Sequence, residues 1–597
     1  MVSITVFISI FASLNWWDLL LTNTNLMVTY SSLTLSDILN RSRVQFTEQP
    51  SLAFVGEKPI SYCDLSIHIK NTSGLLISLG IEKGDRVALL GENSPNWGIA
   101  YFAIACIGAV VVPILPDFSA IEVGKILDHS QSKAVFVSSK LYSKVSNTGE
   151  VGTPDVILLN NLQVVEANEK DVEAKSSYSL PEPIVNIEFT NMNFPEPKEE
   201  DLLAILYTSG TTGKPKGVML THKNIISNCL STFQIQEITS SDRLVSILPL
   251  SHTYECTIGF IMPIMRGASV YYLQKPPTAS VLIPALQEVK PTMMLVVPLI
   301  IEKVYRGKIL PQLTSSKISA RLYEKPFFRK LLHKVAARKL HKTFGGKLHF
   351  FGIGGSKLSY DVERFLYEGG FPYSIGYGMT EASPLISGCA PSLVKFRCAG
   401  FSIPGQEIKI NNPNPTTGEG EVLIKGANIM AGYYKDEETT KEVFTEDGWL
   451  KSGDLGILHP NGFLELKGRL KNMIVGPSGE NIYPEDIEDV INTHAMVIES
   501  MVYEMRGKLV AKVHLNYEEL QAKYSDLKEA AHNIHQNLEE KAQEIMKEIQ
   551  VYVNSRVSAF SRLHLVLEQV EPFEKTPTHK IKRYIYSTHY LDGLNLT

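Results

Sequence analysis

The chain has 597 residues, a hydrophobic fraction of 44%, and a formal net charge of −5 at pH 7. This length predicts about three or four compact units, and the near-balanced charge gives no reason to expect a nucleic-acid partner. The six cysteines form neither a Cys-x-x-Cys pair nor a zinc-ligand spacing, so a reduced, cytoplasmic compartment is favoured over a disulfide framework.

A largely apolar extension occupies residues 1–26, before an alternative start at Met27. It lacks the positive region and the cleavage site of a secretory signal, because the first Lys or Arg is Arg41. Its length would permit a membrane span, although Asp18 and several Ser, Thr and Asn residues weaken that interpretation. We therefore expect either a segment upstream of the true start or a weak membrane anchor.

From residue 85 onward, short β-branched runs alternate with amphipathic segments. A helix is predicted after Pro95. Strands are predicted at 86–90, 109–114, 134–137, 156–159, 202–207, 269–273, 293–297 and 348–351. Because these strands are apolar throughout, the pattern predicts a buried, mostly parallel sheet within an α/β fold.

The strongest chemical signal is the run YTSGTTGKPKG at 207–217, which lies between apolar runs at 202–206 and 218–220. Its glycines, its hydroxyls, Lys214 and Lys216 offer N–H groups, O–H groups and positive charge to a chain of phosphates. The run fits neither a Walker loop nor a dinucleotide-binding fingerprint. The alternative is a glycine-rich hairpin turn without a ligand.

Residues 303–347 form a basic segment with thirteen Lys or Arg and one acid, Glu324. Phe327, Phe328, Leu331 and Leu332 interrupt these charges. Two interpretations are open at this stage. The segment lies on an anionic membrane surface, or it is a solvated helix whose apolar stripe packs on its own domain.

Turn-forming pairs become frequent after residue 400, namely Asn412-Pro413, Thr417-Gly418 and Asp447-Gly448. They predict the hairpins of a small β-subdomain over about 400–467. A smaller αβ region with a charged helix at about 518–550 follows. We predict an N-terminal domain at 27–470, a hinge at Lys471, and a C-terminal domain at 471–597.

The run at 207–217 resembles the phosphate-binding signature of the adenylate-forming enzymes, which include acyl-CoA synthetases, luciferases and adenylation domains. Four further signatures follow in the family's order: GYGMTE at 376–381, WLKSGD at 449–454, GRLK at 468–471 and KTPTHK at 575–580. Five motifs in order are specific, and the resemblance spans at least residues 85–586. It implies a large N-terminal domain of layered α/β subdomains plus a β-subdomain, followed by a small mobile C-terminal α+β domain.

The resemblance implies ATP and Mg²⁺ as ligands and coenzyme A as co-substrate. It places adenine on the ring of Tyr377, whose alternative role is a core aromatic, and ribose hydroxyls on Asp454. It assigns Mg²⁺ to Thr211 and Glu381. The nucleotide-binding residues that it implies are Thr208, Ser209, Gly210, Thr211, Thr212, Gly213, Lys214, Lys216, Gly355, Ser356, Tyr377, Gly378, Asp454, Arg469 and Lys471.

Four residues are implied to act on the reacting groups. Lys580 would neutralise charge as a carboxylate attacks the α-phosphorus, and Thr380 would donate to the α-phosphate, beside Glu381. His252, in the run PLSHTYE at 249–255, would position the acyl substrate and admit coenzyme A. This sequence has His579 where the family usually has glycine. The difference affects which backbone conformations are favoured beside Lys580.

The run VPLIIEKVY at 297–305, the basic insertion and the long C-terminal helix resemble the long-chain fatty acyl branch. The implied reaction joins a fatty acid to AMP and then to coenzyme A, after a domain swing that brings 479–483 to the site. An acyl carrier protein as acceptor is the leading alternative, and a non-catalytic acyl-binding protein is another. The protein is expected in the cytoplasm, with peripheral membrane contact through 303–347.

Overall fold

The computed structural model describes residues 32–145, 154–165, 172, 177–180, 196–209, 215–476, 480–494, 496–517, 534–576 and 580–587. The predicted extension 1–26 therefore lies outside the described residues. Within the described residues, no helix combines the length and the apolar character needed to cross a membrane.

Residues 32–165 begin the larger part of the molecule. The helices are α1 (Leu35–Gln45), α2 (Tyr62–Ser78), α3 (Pro95–Cys106) and α4 (Ala120–Ser130). The strands are β1 (Leu52–Phe54), β2 (Arg86–Leu90), β3 (Val110–Ile114), β4 (Ala134–Val137), β5 (Asp155–Leu158) and β6 (Gln163–Val164). Helix α3 begins where the Ser94 side chain caps the Trp97 N–H, and it is buried nearly all round. It contacts β1, β2 and β3.

Residues 202–375 add further alternating elements. The strands are β7 (Leu202–Ser209), β8 (Pro215–Thr221), β9 (Arg243–Ser246), β10 (Ser269–Tyr272), β11 (Met293–Val296), β12 (Phe350–Ile353) and β13 (Tyr373–Ile375). The helices are α5 (His222–Phe233), α6 (Met262–Met265), α7 (Ala279–Val289), α8 (Pro298–Val304), α9 (Leu310–Leu313), α10 (Lys317–Tyr323), α11 (Pro326–Thr343) and α12 (Tyr360–Gly369). Two π-helical segments, Tyr254–Ile261 and Tyr305–Ile309, precede α6 and α9.

Residues 377–469 are rich in β-structure. The strands are β14 (Tyr377–Gly378), β15 (Leu385–Gly388), β16 (Phe401–Ser402), β17 (Gln406–Asn411), β18 (Gly420–Gly426), β19 (Gly432–Tyr433), β20 (Leu450–Leu458) and β21 (Leu464–Arg469), and α13 is Glu437–Val443. Strands β17, β18, β20 and β21 form an antiparallel sheet in that order. The predicted hairpin around 412–418 is confirmed, because it joins β17 to β18.

The remaining elements are β22 (Ile474–Val475), β23 (Asn481–Ile482), α14 (Pro484–Ile491), β24 (Val497–Met505), β25 (Lys508–Leu515), α15 (Ile534–Asn554), β26 (Leu565–Glu568) and α16 (Arg583–Ser587). They enclose a separate hydrophobic cluster that includes Ile491, Val513 and Ile549. The predicted charged helix corresponds to α15, and residues 518–533 of that prediction lie outside the described residues. The domain boundaries stay predictions.

Two large sheets form the core. One has six parallel strands in the order β1-β10-β9-β11-β12-β13. The other has eight strands in the order β19-β8-β7-β3-β2-β4-β5-β6. The prediction of mostly parallel pairing is confirmed for the first sheet. The second has a parallel centre. In it β8 and β6 pair antiparallel because short connections return the chain alongside β7 and β5, and β19 pairs antiparallel with β8 from more than 200 residues away.

The strands at 86–90 and 134–137 are found where the sequence predicts them. The strand predicted at 348–351 is instead β12, Phe350–Ile353. Its start is set by pairing, since Phe350 is the residue opposite Met293 of β11, and apolar character alone does not show where pairing begins.

Candidate active site

The carboxyl ends of parallel strands meet at one edge of the six-stranded sheet. Strand β9 leads into the segment with His252, β12 into Gly355 and Ser356, and β13 into Tyr377. In open α/β sheets this edge is where ligands bind. The fold therefore assembles motifs that are more than 100 residues apart in the sequence.

The run at 207–217 joins β7 to β8 as a hairpin, in which Tyr207 pairs with Gly217. Residues 210–214, which include the predicted Gly210, Thr211, Thr212, Gly213 and Lys214, lie outside the described residues. Thr208 is half-buried at the end of β7, beside Ser209. The Lys216 ammonium lies 5.2 Å from the centroid of the Tyr433 ring. The hairpin geometry is thus present, and its use for phosphate stays a prediction.

Asp454 connects two other motifs. Its Oδ2 accepts a hydrogen bond from the Tyr377 hydroxyl at 2.7 Å, and its Oδ1 lies 2.8 Å from Nε of Arg469. Burial raises the pKa of Asp454, and the positive charges of Arg469 and Lys580 oppose that rise. Tyr377 is itself buried, and the hydrogen bond from its hydroxyl to Asp454 fixes the position of the ring. Gly378 is the next residue. A Cβ at Gly378 would lie 2.2 Å from the Pro384 carbonyl oxygen, so the backbone there excludes other residues.

Glu381 follows Thr380 in a short 3₁₀ turn, Thr380–Ala382. The Tyr433 hydroxyl donates to Glu381 Oε1 at 2.9 Å. The backbone of Glu381 is held as well, because its carbonyl accepts the Met430 N–H at 2.9 Å. Tyr433 was not predicted from the sequence. Its only signal there is an aromatic residue after Gly432, which does not reveal a partner 52 positions away.

His252 is held by its own segment. Its Nδ1 accepts the Tyr254 N–H at 3.2 Å, which places the proton of the neutral ring on Nε2. Burial, followed by the positive charge of Lys580, lowers the pKa of His252 to about 4. The imidazole is therefore neutral near pH 7. A Cβ at Gly354 would lie 3.2 Å from the Tyr254 ring, so the end of β12 packs directly against this segment.

Asn93 is a second residue that sequence reasoning missed. Its Nδ2 donates to Ser246 Oγ at 2.9 Å and to the Leu248 carbonyl at 2.6 Å. Its Oδ1 accepts the Leu250 N–H at 2.8 Å. The Asn93 amide thus holds the segment that leads to His252, although it lies about 150 residues earlier in the chain. A lone Asn gives no sequence signal of that role.

Lys580 lies at the end of a narrow loop. The Lys575–Ile581 bridge closes the loop, the Thr576 N–H donates to the Lys580 carbonyl at 2.8 Å, and Lys575 pairs with Glu499 at 2.5 Å. His579 lies outside the described residues.

The pKa of Lys580 lies below its usual value, because surrounding protein atoms desolvate the ammonium and Arg469 repels it. Asp454 and Glu381 oppose this effect, so all three charged side chains act on Lys580. The structure therefore brings Lys580, Glu381, Asp454, Arg469 and His252 around one cleft. Lys471 lies exposed in the turn Leu470–Asn472, and the contacts described do not join it to this group.

The chemistry of the cleft suits a polyphosphate. Lys216, Arg469 and Lys580 supply positive charge, and Glu381 supplies a carboxylate of the kind that Mg²⁺ shares with phosphate oxygens. Among the described residues, no cluster of three His, Cys, Asp or Glu side chains could hold a metal.

Comparisons with known proteins agree with this geometry. The model of the AMP-binding enzyme family matches residues 40–434. Long chain acyl-CoA synthetase 6, peroxisomal, of Arabidopsis thaliana is 31% identical over 553 residues, which cover 85% of this chain and 77% of that protein. The long-chain-fatty-acid–CoA ligase FadD15 of Mycobacterium bovis is 28% identical over 463 residues, 72% of each chain.

A solved structure agrees at the level of the fold. ATP-bound MatB from Rhodopseudomonas palustris superposes with a TM-score of 0.70 at 22% identity, over 93% of this chain and 99% of MatB. The predicted α/β architecture, with a large N-terminal domain and a smaller C-terminal one, is thereby confirmed.

Proposed function

The chain belongs to the AMP-binding enzyme family, and from that premise we propose that it is an AMP-forming long-chain fatty acid–CoA ligase. In the first step, a carboxylate oxygen attacks the α-phosphorus of ATP, the α–β phosphoanhydride bond breaks, and pyrophosphate leaves. In the second, the sulfur of coenzyme A attacks the acyl carbon, the bond to AMP breaks, and the thiol proton is lost to solvent. The two named relatives support the long-chain substrate.

The observation that carries the proposal is the convergence of Lys580, Arg469, Asp454 and Glu381. In the first step, Lys580 and Arg469 neutralise negative charge that grows on the phosphates. Asp454 receives the ribose hydroxyls, since each carboxylate oxygen keeps a lone pair beyond the bonds to Tyr377 and Arg469. Thr380 donates to the α-phosphate from the turn that also carries Glu381.

ATP and Mg²⁺ are the cofactors that we propose. ATP would lie between the hairpin at 207–217 and the ring of Tyr377, with Gly355 and Ser356 beside the base. When bound at Glu381 and Thr211, Mg²⁺ would supply positive charge to the phosphate oxygens. The Tyr433 hydroxyl orients the Glu381 carboxylate for that purpose.

His252 is proposed to act at the acyl end. A neutral ring with the proton on Nε2 can donate to the carboxylate without adding a full charge near Lys580. The acceptor thiol is proposed to be coenzyme A. An acyl carrier protein is the alternative acceptor.

The second step is proposed to follow rotation of residues 471–597 about Lys471. Lys580 would leave the cleft, and residues 479–483 would approach it. Among the described residues, two ion pairs link residues 471–597 to the preceding part, namely Lys357 with Asp486 and Arg397 with Asp489, the latter at 3.8 Å. Both pairs would have to break during rotation.

The finer partner and location are proposals as well. We propose that the protein is cytoplasmic and that it contacts membranes through residues 303–347.

The test is release of pyrophosphate and AMP by the purified protein with ATP, Mg²⁺ and palmitate, with and without coenzyme A. Turnover that depends on coenzyme A and yields palmitoyl-CoA supports the proposal. Adenylate formation without it would point to a carrier protein. No pyrophosphate with any of a broad set of carboxylates would contradict the proposal, and far faster turnover of octanoate than of palmitate would contradict the chain length.

A further inference from the structure

Helix α11, within the basic segment 303–347, has an inner apolar stripe. Its His333, Ala337 and Leu340 are buried, in contact with the core that contains Phe365 of α12. Arg329 strengthens this contact, since its guanidinium makes two hydrogen bonds to Glu368 at 2.8 and 3.1 Å. The interpretation that an apolar stripe packs on its own domain therefore holds for this face.

The opposite face of α11 carries a second apolar stripe that faces solvent. Phe327, Leu331 and Val335 follow one another at four-residue spacing and are 77%, 53% and 60% exposed. Phe328 is exposed beside them, with its ring 5.5 Å from that of Phe327. Helix α10 adds two more exposed apolar side chains. We call this set the outer stripe, and it consists of Ile318, Leu322, Phe327, Phe328, Leu331 and Val335.

Positive charge surrounds the outer stripe. Eight exposed Lys or Arg lie on these two helices or, for Lys325, between them: Lys317, Arg321, Lys325, Lys330, Lys334, Arg338, Lys339 and Lys342. The only acid among them is Glu324. In the part of the chain that the structure describes, none of these eight forms an ion pair, in contrast to Arg329 on the inner side. The charge of this surface is thus available to an external anion.

We propose that the outer stripe inserts among the headgroups of an anionic phospholipid bilayer while the surrounding lysines and arginines contact lipid phosphates. Exposed aromatic and aliphatic residues flanked by basic ones are the pattern of interfacial helices. A second copy of the chain is a poor occupant, because a two-fold contact would bring two positive surfaces together. A bilayer offers both negative charge and an apolar layer, whereas an acidic protein must supply a matching apolar surface.

The membrane location rests on the proposed function, because a long-chain fatty acid partitions into bilayers and the enzyme would encounter its substrate there. Vesicle binding itself requires no turnover. Vesicle binding can therefore be absent while pyrophosphate is released, and vesicle binding can be present without pyrophosphate release. The two proposals are thus tested separately.

The experiment is flotation of the full chain with phosphatidylcholine vesicles that contain or lack phosphatidylglycerol, at low and high NaCl. We expect binding only with phosphatidylglycerol, and less of it at high salt. Val335→Asp should lower the affinity at least about tenfold, since it places a charge in the inserted stripe. Val551→Asp is the matched control, because Val551 is also on a helix, α15, and is 72% exposed.

Equal loss of binding in both variants, or no loss in Val335→Asp, would overturn the proposal. So would equal binding to vesicles without phosphatidylglycerol, or capture of an acidic carrier protein without any vesicle binding. Lys334→Glu is a second variant that leaves the apolar residues intact and should also weaken binding. Unchanged thermal midpoints and pyrophosphate release would show that each variant is folded.

Discussion

Replacement of Tyr433 by Phe tests how Glu381 is held. The variant removes one hydroxyl that donates to Glu381 Oε1 at 2.9 Å and keeps the ring beneath Lys216. A hydrogen bond to a charged group contributes about 1.5–3 kcal/mol. Because Glu381 is only half-buried, the lower end applies, which corresponds to about a tenfold weaker binding of Mg²⁺.

The assay is pyrophosphate release at saturating ATP and palmitate over a titration of Mg²⁺. If Tyr433 orients a carboxylate that binds the metal, Tyr433→Phe should require more Mg²⁺ for half-maximal rate, and its thermal midpoint should stay near that of the unaltered protein. Tyr434→Phe is the matched control, since it removes the hydroxyl of the adjacent tyrosine, which is not bonded to Glu381. An unchanged Mg²⁺ requirement in Tyr433→Phe, or an equal change in both variants, would refute the reasoning.

Three further outcomes are expected. Lys580→Ala should abolish adenylate formation yet spare thioester formation from supplied acyl-AMP, with Lys582→Ala as control, and equal loss of both steps would contradict the domain rotation. Burial lowers the pKa of His222 to about 4, so the folded state binds fewer protons than the unfolded one between that value and about 6.5, and stability is lost as pH falls. The free energy of unfolding should fall from pH 7.5 to pH 5, and this fall should be about 2 kcal/mol smaller in His222→Asn, as measured by denaturation at each pH. Asn93→Ala should lower kcat with palmitate about tenfold and leave ATP binding unchanged, because it removes hydrogen bonds from the segment before His252 and none from the nucleotide site. A selective loss of ATP binding would contradict this expectation.

Much of the architecture follows from local patterns. Runs such as 87–90 and 134–137 are apolar throughout because both faces of their sheet are covered, and that composition is visible in the sequence. The motif order likewise led to the family. The antiparallel pairing of β8 and β19 could not be predicted in this way, because the direction of pairing depends on where the chain returns and not on the residues of the strand.

The candidate site shows the same division. Motif residues such as Asp454 and Lys580 could be named because each lies in a recognisable run. Tyr433 and Asn93 could not, since each acts through a contact with a distant segment that no local pattern records. The two apolar stripes of α11 were a third such case: the sequence shows the residues, and only the position of α12 decides which stripe is covered.

Helix α3 has a consequence for how this protein tolerates mutation. Surface helices accept substitutions on one side, so their tolerance rises and falls with the helical repeat. In α3 every residue from Pro95 to Ala105 is buried, and a Cβ at Gly98 would lie 2.8 Å from the Phe260 ring. A comprehensive substitution scan should therefore find a continuous block of intolerance across three turns here, in contrast to the periodic profile of α4, where the buried Val123, Ile126 and Leu127 alternate with exposed positions.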